Sequence, residues 1–268
     1  MLIKKKCLLT IVTVVKNDEQ RLKITLSSVK KLYKNHNYEF IIVENLDNNN
    51  KSPSKYLNED NYIKYLNDDN NDNGIYNAMN LGTNRASGLY IMFLNAGDFI
   101  LFTEKKLSNI LKKIILDHHY ANIIFLPSFL SFNSKKIFLK PNKKFFYSMP
   151  TSHQAMIFRT SFVKKHMFNL KYKIASDFDL LLKSCKEKLT FFDTKTPFVS
   201  IEYGGFSSKS YILSYYEYFH ILYLNKLGIY KFYALIVLSL KFFFILIPKT
   251  LFRDSLIFYF KKKIKKCL

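Results

Sequence analysis

Asn73-Gly-Ile-Tyr-Asn-Ala-Met-Asn-Leu-Gly82 is followed closely by Gly88-Leu-Tyr-Ile-Met-Phe-Leu-Asn-Ala-Gly-Asp98. The pair reads as a helix start, a short helix, a glycine break and an apolar strand, with one carboxylate just past the strand's end. On its own, Asp98 is either a turn cap or a functional group. The segments on either side bear on that choice.

Upstream, three lysines precede Cys-Leu-Leu-Thr-Ile-Val-Thr-Val-Val, which superficially resembles a secretory leader. No small-residue cleavage site follows, and the run ends in Lys-Asn-Asp-Glu, so it reads as a buried first strand. Its β-branched content fits a central parallel strand covered on both faces. Asn17 or Asp18 caps a helix to about Tyr33, with Leu22, Leu26, Val29 and Leu32 at helical spacing. Glu39-Phe-Ile-Ile-Val-Glu44 is a second strand, again with an acid at its end. Strand, helix, strand implies a right-handed parallel crossover. Residues 45–73 are rich in Asn and Asp, with a helix expected near Ser54–Leu57, a third strand near Tyr62–Leu66 and a loop over Asn67–Asn73. Ligands of open α/β sheets bind outside the carboxyl ends of the strands. Glu44, Asp72 and Asp98 are therefore expected to converge there.

Downstream, Leu107–Leu116 has helical spacing and Asn122–Leu126 reads as a strand. Residues 128–147 form a short β-rich excursion, with Phe129, Phe132, Ile137, Leu139 and Phe145 between polar turns. Ser152-His-Gln-Ala-Met-Ile-Phe-Arg159 is a polar pair entering an apolar strand, and a helix follows to His166. Ile174-Ala-Ser-Asp-Phe-Asp-Leu-Leu-Leu-Lys183 starts another helix with Asp177 and Asp179 in its first turn, where the helix dipole alone favours acids. Thr190–Asp193 and Pro197–Ile201 read as edge strands and Gly204–Ser207 as a loop.

The 268 residues, 49% apolar, suffice for a substantial core in one large domain or two small ones. The net charge of +22 is unevenly spread: residues 1–100 hold 13 bases and 11 acids, residues 101–210 hold 19 and 7, and residues 211–268 hold 10 and 2. Such a surface suits nucleic acid, anionic lipid or a phosphorylated substrate, or reflects drift toward Lys and Asn. Cys7, Cys185 and Cys267 have no paired spacing, which argues against a disulfide framework or a zinc site. Ile229–Ile247 is mostly Leu, Ile, Phe and Tyr, but Lys231 and Lys241 interrupt it and Pro248 ends it. A lysine mid-span costs ~3 kcal/mol on insertion scales, so spanning is borderline. With Lys261–Lys263, Lys265 and Lys266 beyond it, the tail suits helices lying in the interface of an anionic bilayer; a buried core helix and a true span are the alternatives.

No GxGxxG fingerprint or Walker loop is present. The ordered series Thr10–Asn17, Glu39–Glu44, Gly74–Gly82, Gly88–Asp98, Ser152–Gln154 and Ala175–Asp179 instead resembles family 2 glycosyltransferases of the GT-A fold, over about residues 7–207. Bacterial enzymes of capsule, O-antigen and exopolysaccharide assembly are the nearest likeness. The resemblance implies an α/β fold with a Rossmann-like, mostly parallel sheet flanked by helices. Residues 1–100 would bind the nucleotide sugar, residues 101–210 the acceptor, and residues 211–268 would form a basic helical tail associating with the membrane. It implies that Thr13, Val14, Glu44 and Asp72 hold the nucleotide, Glu44 standing where the family usually has Asp. The family's DxD metal motif reads Asn95-Ala-Gly-Asp98 here, leaving Asp98 as metal ligand for Mg²⁺ or Mn²⁺ and Asn95 beside the donor. One carboxylate can suffice when phosphate oxygens and waters complete the shell. Asp177 takes the position of the catalytic base and Asp179 a supporting one, and His153 and Gln154 flank the acceptor or the diphosphate. For His153 a structural imidazole is the alternative.

The implied activity is inverting transfer of a hexosyl or N-acetylhexosaminyl group from a nucleotide sugar to a glycan, often lipid-diphosphate-linked, in surface polysaccharide synthesis. The implied location is the cytoplasmic face of the cell membrane. The eroded metal motif motivates a rival, a non-catalytic nucleotide- or glycan-binding relative. A nucleic-acid-binding protein rests on charge alone and lacks a recognition motif.

Overall fold

The computed structural model describes residues 7–32, 37–45, 63–68, 74–117, 121–132, 135–143, 149–184, 189–191, 195–204, 210–225, 231–240 and 242. The expected helix near Ser54–Leu57, Asp72, the Gly205–Ser207 part of the loop and the terminal lysines lie outside them. Along the chain, β1 (Leu9–Lys16), α1 (Glu19–Val29), β2 (Tyr38–Asn45), β3 (Ile63–Asn67), α2 (Ile75–Arg85), β4 (Tyr90–Phe93) and β5 (Phe99–Ile100) come first. Then follow α3 (Glu104–Asp117), β6 (Ile123–Phe125), β7 (Ser128–Phe132), β8 (Lys135–Leu139), β9 (Met156–Arg159), α4 (Thr160–His166), α5 (Ser176–Lys183), β10 (Leu189–Phe191), β11 (Val199–Glu202) and α6 (Tyr211–Leu224). Residues 231–240 are also helical.

β1 lies inside the main sheet, whose order is β10-β6-β9-β4-β1-β2-β3. It pairs in parallel with β2 and β4, and β3 extends the parallel set beyond β2. β9 runs antiparallel between β4 and β6, with β10 parallel to β6 at the edge. The β-branched run of β1 is covered on both faces, as its composition predicts. Val12 and Val14 join Ile41, Val43 and Met79 on one side, while Leu9, Ile11 and Val15 meet Leu22, Leu26 and Val29 on the other.

Two glycines in the opening stretch set how closely these layers approach. A Cβ on Gly82 would sit 2.4 Å from Val12 Cγ1 and 3.3 Å from Val43, so α2 lies directly on β1 and β2. A Cβ on Gly88 would stand 2.6 Å from the Thr10 backbone nitrogen. Beside it, at the amino end of the strands, the buried Glu39 carboxylate accepts the Thr10 hydroxyl at 2.6 Å, the Ser87 N–H at 2.8 Å and the Lys64 ammonium. Burial by itself would raise the Glu39 pKa, but these donors outweigh it and hold it below the usual carboxylate range.

The β-rich excursion forms the antiparallel pair β7–β8 within a second sheet, ordered β5-β11-β7-β8. This corrects the edge expectation for Pro197–Ile201: β11 lies inside, antiparallel to β5 and parallel to β7. Edge or interior position depends on distant partners that a short run cannot reveal. In the tail, Ile221, Leu222, Ala234 and Leu238 enter the core beside Phe178 and Leu180. Ile212, Tyr216, Tyr223, Phe232, Tyr233, Ile236 and Leu240 are exposed. Among the described residues no helix is long and apolar enough to cross a membrane.

Overpacking predicts that Gly82→Ala lowers stability by about 1–3 kcal/mol. Gly88→Ala should cost more, because backbone atoms obstruct it rather than a movable Val12 side chain. Urea midpoints of the two variants check the order; a smaller loss for Gly88→Ala would contradict it.

Candidate active site

Because β9 is antiparallel to β4, with Met92 opposite Ile157, the turn His153–Ala155 before β9 falls beside the carboxyl end of β4. The chain leaving β4 stays next to β1: the Leu94 N–H donates to the Val12 carbonyl at 2.9 Å and the Ala96 N–H to the Val14 carbonyl at 3.4 Å. Asn95, Asp98, His153 and Gln154 thus share the edge where β1 ends.

The Asn95–Asp98 turn is held by α1. The Thr25 hydroxyl accepts the Gly97 N–H at 2.9 Å and donates to the Asp98 carbonyl at 2.9 Å, and the Gly97 N–H also meets the Arg21 carbonyl at 3.0 Å. Gly97 has φ of +99°, which glycine adopts without cost. The Asp98 side chain is buried, and burial pushes its pKa up to about 7 against the N–H groups of Asn95 and Glu202, the Gln154 side chain and the Arg21 guanidinium. Asp98 Oδ2 has no hydrogen-bond partner, and neither do the buried Asn95 Oδ1 and Thr13 Oγ1. Buried polar atoms are ordinarily satisfied, so these three at one sheet edge are candidates for contact with a ligand. From the second sheet, Glu202 pairs with Arg21 at 3.0 Å.

Next along the edge, Glu44 is fully buried and accepts the Tyr65 hydroxyl, tying β2 to β3. Asp68, just past β3, donates its N–H to the Glu44 carbonyl at 2.8 Å and takes the Asn77 amide of α2 at 3.2 and 3.3 Å. Val14 is buried in the core layer beneath α2. Asp68 was hidden in a polar tract that reads only as loop.

At the start of α5, the Asp177 carboxylate accepts the Phe178 N–H at 2.8 Å and the Tyr76 hydroxyl of α2 at 3.3 Å. Burial lifts its pKa to about 6, with Glu217 adding to the rise and the two donors opposing it. Asp179 stands apart, ion-paired with Lys183 at 2.7 Å. The expected His-Gln pair divides. Gln154 reaches Asp98, whereas His153 stacks on Phe93 at 5.5 Å and meets Phe168 edge-on at 5.9 Å. Burial lowers the His153 pKa to about 4, leaving a neutral ring whose Nε2 is buried without a partner. Residues to which the sequence reading assigns no role include Thr25, Tyr76, Asp68 and Glu217. Tyr76 lies within the quoted Gly74–Gly82 segment, and Glu217 is one of two acids in residues 211–268.

Among the described residues no group of three or more His, Cys, Asp or Glu side chains is placed to hold a metal. Asp98 Oδ2 and Asn95 Oδ1 nevertheless fit a hard divalent cation whose remaining ligands are phosphate oxygens and water. A depression of about 460 Å³ lined by Leu66, Leu81, Asn84 and Arg85 contains none of these groups.

No characterised protein matches the chain significantly in sequence. Among solved structures, Staphylococcus aureus TarS 1–349 in complex with UDP-GlcNAc is similar with a TM-score of 0.67 at 15% identity, over 88% of this chain and 72% of that one. The same TarS fragment in complex with UDP gives 0.64 at 15% identity, over 88% and 72%. The mannosyltransferase PcManGT from Pyrobaculum calidifontis, in complex with GDP-Man and Mn²⁺, gives 0.63 at 11% identity, over 86% and 69%. These likenesses establish the GT-A architecture that the strand order and the flanking helices already describe. Residues 10–174, more than half of the chain and spanning every segment from β1 to the turn before α5, match the model for glycosyl transferase family 2, and the protein belongs to that family.

Proposed function

We propose that the protein transfers a hexosyl or N-acetylhexosaminyl group from a nucleotide sugar to a glycan hydroxyl, inverting the anomeric centre, with Asp177 as the base. The observation that carries this reading is a pair of carboxylates with raised proton affinity, the buried Asp98 and the half-buried Asp177, in a family 2 fold. Asp177 takes the proton of the acceptor hydroxyl, whose oxygen forms the new bond to the anomeric carbon as the bond to the diphosphate oxygen breaks. An ionised Asp177 is required, and a pKa near 6 keeps it ionised yet basic at neutral pH.

The nucleotide lies across the ends of β1, β2 and β3, against Thr13, Val14 and Glu44, with Asp68 holding Asn77 beneath it; the family resemblance assigns Asp72, outside the described residues, to the nucleotide base. Asp98 and Asn95 would hold Mg²⁺ or Mn²⁺ beside the donor. Such a cation, when bound, neutralises the charge that develops on the departing diphosphate. Gln154 orients Asp98, the neutral His153 ring flanks the diphosphate side, and Asp179 supports α5 through Lys183. Support for the donor class comes from the family and from the UDP-GlcNAc and GDP-Man complexes of structural relatives, one with Mn²⁺.

The acceptor is assigned to a lipid-diphosphate-linked glycan of bacterial surface polysaccharide synthesis. Ile212, Tyr216 and Tyr223 on α6, and Phe232, Ile236 and Leu240 on the next helix, form exposed apolar stripes, and the chain beyond them is rich in lysine. That combination suits peripheral attachment to an anionic cytoplasmic leaflet. A second reading, a non-catalytic nucleotide-binding relative, is favoured by the single carboxylate left in the metal motif.

Incubation with a panel of nucleotide sugars and Mn²⁺ separates the two readings. Asp177→Asn should reduce donor turnover by about 10²–10⁴-fold while retaining UDP binding. No turnover of any donor by the unmodified protein would favour the binding relative. Turnover should fall as pH drops through about 6, where Asp177 takes up a proton.

Asp98 gives a test that needs no substrate. Its folded pKa of about 7 exceeds its ordinary value, so the folded state binds more protons than the unfolded one and stability falls as pH rises from about 4 to 7. Asp98→Asn should therefore raise Tm at pH 8, by about 2–4 °C per kcal/mol recovered, with the gain gone at pH 4 and the Mn²⁺-dependent rise in UDP affinity lost. An unchanged Mn²⁺ effect would remove Asp98 from the metal site.

For the tail, deleting residues 211–268 would also strip Ile221 and Leu222 from the core, so point changes are cleaner. Phe232→Ser with Ile236→Ser should weaken co-sedimentation with phosphatidylglycerol vesicles severalfold and leave Tm unchanged. Undiminished co-sedimentation would contradict this surface.

A further inference from the structure

Glu217 on α6 is a buried acid in an otherwise apolar and basic segment. Its carboxylate accepts three successive backbone N–H groups: Lys173 at 2.8 Å on Oε1, then Ile174 at 2.9 Å and Ala175 at 2.8 Å on Oε2. Ala175 is the N-cap of α5 and supplies no capping side chain, while its carbonyl accepts the Phe178 and Asp179 N–H groups at 3.0 and 3.1 Å. From the other side, the Tyr76 hydroxyl of α2 lies 2.5 Å from the Ile174 carbonyl. Tyr218, the neighbour of Glu217, stacks on Phe178 with ring centroids 4.4 Å apart. The backbone leading into Asp177 is therefore gripped at its donors by α6 and at an acceptor by α2.

We propose that Glu217 is a positioning residue for sugar transfer: through the N–H groups of Lys173, Ile174 and Ala175 it sets where the Asp177 carboxylate stands relative to the acceptor hydroxyl. The proposal rests on Asp177 being the base. A charge-assisted grip on three consecutive N–H groups does more than fill a void, since hydrogen bonds to a charged acceptor are shorter and stronger than neutral ones. Misplacing a catalytic group by 1 Å costs on the order of 10²-fold in rate.

The groups facing Asp177 are the Tyr76 hydroxyl from α2, Glu217 and Tyr218 from α6, and the Phe178 N–H of its own helix. Asp179 is already neutralised by Lys183. The Glu217 charge disfavours ionisation of Asp177, so removing it should shift the acid limb of the pH–rate profile downward. Gln in its place keeps the shape but offers one carbonyl oxygen, leaving at least one of the three N–H groups facing an NH₂.

The test measures kcat, KM and pH–rate profiles for UDP-GlcNAc and GDP-mannose turnover with Mn²⁺ in the full chain. Glu217→Gln should lower kcat by about 10–100-fold with donor KM within about twofold, and move the acid limb to lower pH. Glu217→Asp keeps the charge and retracts it by one methylene; it should lower kcat less and leave the limb in place. UDP affinity by calorimetry and amide exchange at residues 173–175 report separately on folding and on the grip. If Gln misfolds and loses UDP binding, the Asp variant carries the kinetic test. Wild-type kcat and an unmoved limb in Glu217→Gln, alongside an inactive Asp177→Asn, would overturn the proposal alone. Full turnover in Asp177→Asn would overturn the base assignment and this proposal with it.

Discussion

The contact on which the rest depends is the seating of α2 against β1 and β2 at Gly82. No side chain separates helix from sheet there, so α2 lies close enough for its polar side chains to reach distant parts of the chain. Tyr76 reaches Ile174 and Asp177, Asn77 reaches Asp68, and Asn80 exchanges two 2.9 Å hydrogen bonds with the Phe168 backbone. Tyr76 also stacks on Phe168, which packs edge-on against Phe93. A single helix turn thereby joins the end of β3, the end of β4 and the start of α5. Lifting α2 by the width of a methyl group would loosen all of these contacts together.

The two edges of the main sheet carry acids in opposite states. At the amino edge Glu39 has its donors from Thr10, Ser87 and Lys64 and contributes to stability. At the carboxyl edge desolvation of the buried Asp98 and the half-buried Asp177 is incompletely compensated, and Thr13, Asn95 and His153 keep buried polar atoms without partners. Residues that break the rule of polar satisfaction in a well-packed fold are where function is expected, because a ligand completes what folding leaves open. The lone carboxylate of Asn95–Asp98 is reinforced by its setting: Thr25 fixes the turn, and Gln154, Arg21 and the Glu202 N–H surround the side chain.

The tail shows how one helix serves two neighbours. α6 sends Ile221 and Leu222 inward and Glu217 to the backbone before α5, while Ile212, Tyr216 and Tyr223 face outward. Composition alone presents this segment as basic, aromatic and separable. Its inward face makes it part of the packing that supports Asp177.

By itself the sequence determined the alternation of strands and helices, because hydrophobic period and glycine placement are local: β1, α2, β4, β9 and α5 lie close to where their patterns put them. It also placed Glu44 and Asp98 at the ends of their strands, because a residue that follows an apolar run is local information. Only the tertiary structure decided that β11 is interior, that Asp179 pairs with Lys183, that His153 is a neutral ring stacked on Phe93 while Gln154 reaches Asp98, that Asp68 meets Asn77, and that Glu217 meets the backbone before α5. Each of these turns on a contact between segments far apart in the chain, or on burial, and neither leaves a periodic signal in the sequence. The proton affinities of Asp98 and Asp177 belong to the same class: the residue type sets the starting value, and only packing removes the water that would hold it there.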